Sequence, residues 1–205
     1  MYSMREVLAW LRLFYDYFVK WPRNGFRSPA PQMVKRALFK RYSGPETTWL
    51  ETGTYLGRTT RFLAKHNLRV ITIEPVHFLA KRAGERFRKQ VKIEVIEGDS
   101  ETVLEGAILR MTGDVAFWLD GHFSGWITHK GEVITPVAFE LRTVAKYLEK
   151  FDSVTVLVDD FRLFQTEGFV SGEYPLKDDL ITWANDNGMD WTIEHDIFIA
   201  SSRSA

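Results

Sequence analysis

Five short apolar runs recur along the chain, at 48–52 (TWLET), 69–74 (RVITIE), 92–97 (KIEVIE), 114–119 (DVAFWL) and 153–158 (SVTVLV). Runs this short and this rich in Val and Ile read as strands, and most of them are apolar on both sides. A strand that is apolar on both sides must be covered on both sides. Helices between successive strands supply that cover when the strands lie parallel. Helical stretches are expected near 58–66, 76–88, 101–110 and 134–150, and another near 175–187. The tail, DWTIEHDIFIAS, gives two short runs split by a polar EHD, which suits a closing antiparallel hairpin. The expected fold is α/β and doubly wound, a mostly parallel sheet with that hairpin at its end.

Composition narrows what such a sheet can be for. The chain has 205 residues, 45% of them hydrophobic and 14% aromatic, enough for one sizeable packed core. Lys plus Arg balances Asp plus Glu at 27 each, so no global field recruits nucleic acid or an acidic partner. With no cysteine, disulfides, zinc–thiolate sites and cysteine nucleophiles are excluded. No uncharged apolar run is long enough to span a bilayer. Arg5, Glu6, Arg12 and Asp16 interrupt the apolar N-terminus, which is wrong for a signal peptide. A soluble, cytoplasmic protein is the expectation.

Residues 1–44 read as a helical N-terminal extension, packing on the core or on a partner, ahead of a main domain at 45–205. Within 4–21, Val7, Leu11, Phe14 and Phe18 share one helical face, and Arg5, Arg12, Asp16 and Lys20 line the opposite one. Pro22, Asn24 and Gly25 end that helix. Its wide apolar sector suits packing against its own domain or across a homodimer; contact with a membrane surface is the weaker alternative. A second helix near 31–42 carries Lys35, Arg36, Lys40 and Arg41, which reads as an ordinary solvated face.

In an open parallel sheet, ligands sit beyond the carboxyl ends of the strands. All five runs end in or near an acid: Glu51, Glu74, Asp99, Asp120 and the pair Asp159–Asp160. After the first run comes GTYLGRT. Gly53 lets the backbone approach a ligand, Gly57 lets the next helix pack close, and Thr54, Tyr55 and Thr59 complete the loop. Glu51 can take a cationic group. Glu74 lies 21 positions after Gly53, where an acid grips ribose hydroxyls in nucleotide-binding folds. Asp99 and Ser100 stand where an adenine edge would fall, and also suit a helix N-cap. An adenosine with a cationic amino-acid end describes S-adenosylmethionine.

Over roughly residues 45–200 the chain resembles the class I S-adenosylmethionine-dependent methyltransferases, which implies a Rossmann-like sheet. LETGTYLG is similar to their first motif, ITIEP to the ribose motif, EGDS to the adenine-edge motif and FWLDGHFSG to the fourth-strand motif. VLVDDFRLF is similar to the fifth strand of macrocin-type sugar O-methyltransferases and related polysaccharide-cluster proteins. That resemblance implies a divalent cation, Mg²⁺ by its oxygen ligands, on Asp120, Asp159 and Asp160, and a sugar or small polyhydroxylated acceptor. Motif I departs from the usual glycine triplet, and His122 replaces the second acid often found two residues after the strand-four Asp. The 39 residues from Asp120 to Asp159 are also a long interval.

A hydroxyl acceptor needs a base or a metal. His122 is the first candidate base, His129 the second, and Asp120 joins the reacting rim. Phe123, Trp126, Phe161 and Phe164 either line an acceptor pocket or belong to the core. Two other functions share the fold. A non-catalytic binding module would keep the sheet and act through the N-terminal helix. A nicotinamide oxidoreductase would want G-x-G-x-x-G, and position 55 is Tyr.

Overall fold

The computed structural model describes residues 4–120, 136–164 and 175–202. Five parallel strands form its centre: β1 (Thr48–Thr52), β2 (Arg69–Glu74), β3 (Ile93–Glu97), β4 (Asp114–Leu119) and β5 (Ser153–Val158). The strands β6 (Met189–Glu194) and β7 (Ile197–Ser202) close it as a hairpin, with β7 antiparallel to both β5 and β6. The order is β3-β2-β1-β4-β5-β7-β6. The direction of winding reverses between β1 and β4, the crevice where such sheets bind ligands. His195 and Asp196, both at positive φ, make the two-residue hairpin turn without a glycine.

The period-two alternation of side chains sorts the apolar runs onto two faces. Leu50, Phe117, Leu119 and Val156 face α6 (Ser100–Ile108), α7 (Val137–Ala145) and α8 (Lys177–Asp186), whose Leu104, Leu141 and Leu180 are buried against them. Trp49, Ala116, Trp118 and Leu157 face the other way, toward α3 (Gln32–Arg41) and α4 (Arg58–His66). Leu38, Phe39 and Leu63 fill that side. The Phe39 ring meets Trp49 and Trp118 edge-on, at centroid distances of 5.5 and 4.8 Å. The helix α5 (His77–Phe87) connects β2 to β3 and buries Leu79, Ala83 and Phe87.

The N-terminal helix runs further than its proline suggests. α1 (Met4–Tyr15) passes through a π-helical turn at Asp16–Lys20 into a last turn, α2 (Trp21–Arg23), that contains Pro22. Proline has no N–H to donate, and the widened turn ahead of it accommodates the missing donor. Leu8, Leu11, Phe14, Tyr15 and Phe18 are all more than half exposed. Trp21 anchors the end of this segment, touching Phe26 and His195 with its ring and donating its indole N–H to the Arg27 carbonyl at 3.1 Å. No helix among the described residues is long and apolar enough to cross a membrane.

Candidate active site at the carboxyl ends of the strands

The chain leaves β1 through Gly53, at φ +91°, and stays beside β2, where the N–H groups of Gly53 and Thr54 donate to the Ile73 carbonyl. Tyr55 also takes a left-handed conformation, at φ +47°, which is uncommon outside glycine. The loop closes at Gly57, φ +63°, whose N–H donates to the Thr54 carbonyl at 2.7 Å and which caps α4. A Cβ at Gly57 would lie 2.7 Å from the Phe87 ring, so this glycine is what lets α4 and α5 approach.

The two acids beside this loop behave differently. Glu74 turns its carboxylate onto the loop: Tyr55 N–H donates to Oε2 at 2.7 Å and Val76 N–H to Oε1 at 3.0 Å. Burial raises its pKa, and those two N–H donors oppose the rise. A carboxylate offers about four lone-pair positions, and these two N–H groups take about half of them. Glu51 is 1% exposed and lies under the loop. Its Oε2 accepts from Thr60 at 2.5 Å and from Thr72 at 2.8 Å, and Thr72 in turn shares a hydrogen bond with Thr54 at 2.6 Å. Burial pushes the Glu51 pKa up to about 8 against those two donors. Thr60 and Thr72 were not among the expected site residues. Thr59, which was, is half-buried beside Thr60 in the first turn of α4.

Asp99 is the N-cap residue of α6 by position, and its backbone carbonyl accepts from Thr102 and Val103. The capping role expected for its side chain is not made: no side-chain cap bond forms there. Ser100 is buried in the first turn. Facing it is a residue that sequence reasoning missed, Glu140 on α7, fully buried with its pKa pushed up to about 7 by that burial. The hydroxyls of Ser100 and Thr52 lie close enough to oppose the shift. Even so, neither Glu140 oxygen nor Thr52 Oγ1 has a geometrically formed hydrogen bond among the described residues. One signal was available: Glu140 is an acid within the apolar pattern VAFELRTV.

The last group lies at the ends of β4 and β5. Asp120, Asp159 and Asp160 each bring one oxygen within 4.8 Å of the others, so the structure gathers the three acids that the sequence singled out. Asp159 is nearly buried, and desolvation with Asp120 nearby raises its pKa. Asp160 takes a left-handed conformation and accepts from Arg162 at 2.5 Å; Arg162 also pairs with Asp196. The cation facing Asp159 is Lys35 of α3. Its ammonium lies 5.5 Å from the Trp118 ring centroid and its side chain is 12% exposed, so the solvated face expected for this helix fails at Lys35. Surrounding carboxylates outweigh desolvation and raise the Lys35 pKa. Carboxylate oxygens are of the kind a hard divalent ion takes, but Asp159 already holds the Lys35 ammonium, so the acids as arranged do not fit that ion well.

His122, His129, Phe123 and Trp126 lie outside the described residues. Phe164 is buried in the core, and Phe161 is partly buried against it, stacked on Phe164 and Phe198.

No family model matches the sequence, and no curated protein matches it. Solved structures do resemble it in shape. Fibrillarin from Aeropyrum pernix with natively bound S-adenosyl-L-methionine superposes with a TM-score of 0.52 at 13% identity, over 83% of this chain and 74% of its own. The 23S rRNA methyltransferase ErmE gives 0.51 at 17%, over 85% and 68%. A precorrin 8W decarboxylase from Methanobacterium thermoautotrophicum gives 0.51 at 14%, over 86% and 92%. At such identities the likeness is one of fold. The fold is Rossmann-like, a mostly parallel seven-stranded sheet with a C-terminal antiparallel hairpin, and it is the fold that these solved structures share.

Proposed function

We propose that this protein is an S-adenosylmethionine-dependent methyltransferase that methylates a hydroxyl of a sugar or small polyhydroxylated metabolite. The observation that carries the reading is the pairing of Glu74 with the Gly53–Gly57 loop. An acid ends β2 and grips, directly beside it, a backbone loop bent by two glycines and a left-handed Tyr55. Ribose hydroxyls suit the first and the amino-acid portion of the cofactor suits the second. Asp99 and Ser100 at the start of α6 suit the adenine edge. Thr54, through Thr72, links the loop to the buried Glu51 carboxyl.

Bound there, the cofactor would supply an electrophilic methyl group for in-line displacement. The protein's own task is then to aim the acceptor oxygen and remove its proton. Asp120, at the end of β4 between the loop and the acid pair, suits orientation of the acceptor. His122 is the base we propose, since its unperturbed pKa of about 6.5 lets it accept a proton near neutrality.

The rRNA methyltransferase among the structural neighbours raises RNA as an acceptor. Two of the cations of α3 are paired with acids and two keep their charge over an aromatic ring, so RNA belongs in the acceptor test. Lys35 pairs with Asp159, Arg41 with Glu194, and Arg36 and Lys40 lie over the Phe62 ring. Calorimetric titration with S-adenosylmethionine, S-adenosylhomocysteine and NAD⁺ tests the cofactor class. Micromolar binding of the first two alone supports it, and folded protein that binds none of them favours the interaction module. Labelled methyl transfer to a panel of sugars, polyols and rRNA fragments then tests the acceptor.

A further inference from the structure

We propose that Lys35 is the resident cation of the acidic rim at the ends of β4 and β5. It is a positioning residue that takes the place which the resemblance to metal-assisted sugar methyltransferases gives to Mg²⁺. The proposal deepens the methyltransferase reading, and rests on it only in treating this rim as the acceptor side.

The placement follows from the helix. Leu38 and Phe39 fix α3 on the face of β1 and β4 by packing on Trp49 and Trp118. Lys35 lies one turn N-terminal to them, three and four residues back, and so shares their face. Helical side chains lean toward the helix N-terminus, which carries the Lys35 stem past Trp118 and its ammonium onto Asp159. The stem is covered by apolar surface and the head sits among carboxylates, the usual division for a long cationic side chain.

Charge then decides what else can bind. Asp120, Asp159 and Asp160 bring three negative charges to within 4.8 Å. Lys35 answers one and Arg162 another. A divalent ion on the same three acids would compete with the ammonium for Asp159, or would force Lys35 back against Trp118 with its charge unpaired. Either course costs binding energy. The rim is therefore set by a covalently tethered charge, and the acceptor side is incomplete without the N-terminal segment. A lysine also keeps three rotatable donors. One holds Asp159, and the others can hold an acceptor oxygen or Asp120.

Titration with Mn²⁺, followed by loss of the free aqua-ion signal in electron paramagnetic resonance, tests this on the full chain. Wild-type protein is expected to bind Mn²⁺ at this rim no tighter than about 1 mM. Lys35→Met keeps the stem and removes the charge, and should gain a Mn²⁺ site at least about tenfold tighter. Adding Asp159→Asn should abolish the gain. Lys35→Arg retains the charge and should bind as weakly as wild type, and this holds the test if the methionine variant does not fold. A micromolar site in the wild type that is lost in Asp159→Asn overturns the proposal. So does a folded Lys35→Met that gains no site, or an arginine variant that does gain one. Because no cofactor or acceptor enters these titrations, the result is separable from that of the S-adenosylmethionine titration.

Discussion

The backbone N–H of Tyr55 and the carboxylate of Glu74 meet at 2.7 Å, joining the loop after β1 to the end of β2. The acid assigned to the ribose thus also fixes the loop that would carry the rest of the cofactor. Glu74→Ala removes both roles and leaves the N–H groups of Tyr55 and Val76 without their acceptor. A hydrogen bond to a charged group contributes about 1.5–3 kcal/mol, so S-adenosylmethionine affinity should fall by about 10- to 100-fold in calorimetry. Glu74→Gln keeps one acceptor and should fall less. If both variants bind like wild type, the ribose assignment is wrong.

Glu51 makes stability depend on pH with a definite sign. Burial holds its pKa at about 8 in the folded protein, against an ordinary 4.5. Between those values the folded state keeps a proton that the unfolded state has released, so stability falls as pH rises through the window. Glu140, raised to about 7, acts in the same direction over a narrower range. Glu51→Gln keeps an oxygen for Thr60 and Thr72 and cannot ionise. Urea unfolding at pH 5 and pH 8.5 should show wild type losing on the order of 2–4 kcal/mol more than the variant between the two. Parallel losses would mean that Glu51 ionises freely in the folded state.

Gly57 is constrained twice, by its φ of +63° and by the Phe87 ring 2.7 Å from where a Cβ would stand. Gly57→Ala should cost about 1–2 kcal/mol for the left-handed backbone and a comparable amount for the overlap. At this chain size that lowers Tm by roughly 5–15 °C. Phe87→Leu in the same chain relieves only the overlap, so the pair should recover part of the loss. Full recovery would mean that the backbone conformation carries no penalty.

What the sequence made legible was whatever repeats locally. Strands buried on both faces announce themselves as Val- and Ile-rich runs, and α4 falls at the expected 58–66 because its neighbours are a glycine loop and a strand. Pairings between distant segments were not legible. Thr72 reaches Glu51 because β1 and β2 lie in parallel register with those two residues opposite each other, and no spacing along the chain encodes that register. Lys35 looked solvated because helical periodicity assigns faces without saying which strand end a face meets. Glu140 was passed over for a similar reason: an acid in an apolar pattern announces burial only when the neighbouring helix is known.

Phe39 tests whether α3 belongs to the domain or merely rests on it. Its ring is 1% exposed and sits edge-on between Trp49 and Trp118, two of the largest buried side chains of the sheet. Truncating a buried phenylalanine costs about 3–5 kcal/mol, the sum of lost transfer energy and the cavity left behind. Phe39→Ala should therefore bring a large loss in denaturant midpoint and a change in tryptophan emission, since both contacted indoles lose their neighbour. It should also loosen Lys35 from Asp159, because the same helix carries both. A loss below about 1 kcal/mol, within the range of surface substitutions, would make α3 a detachable cover and remove the support that Lys35 needs at the acidic rim.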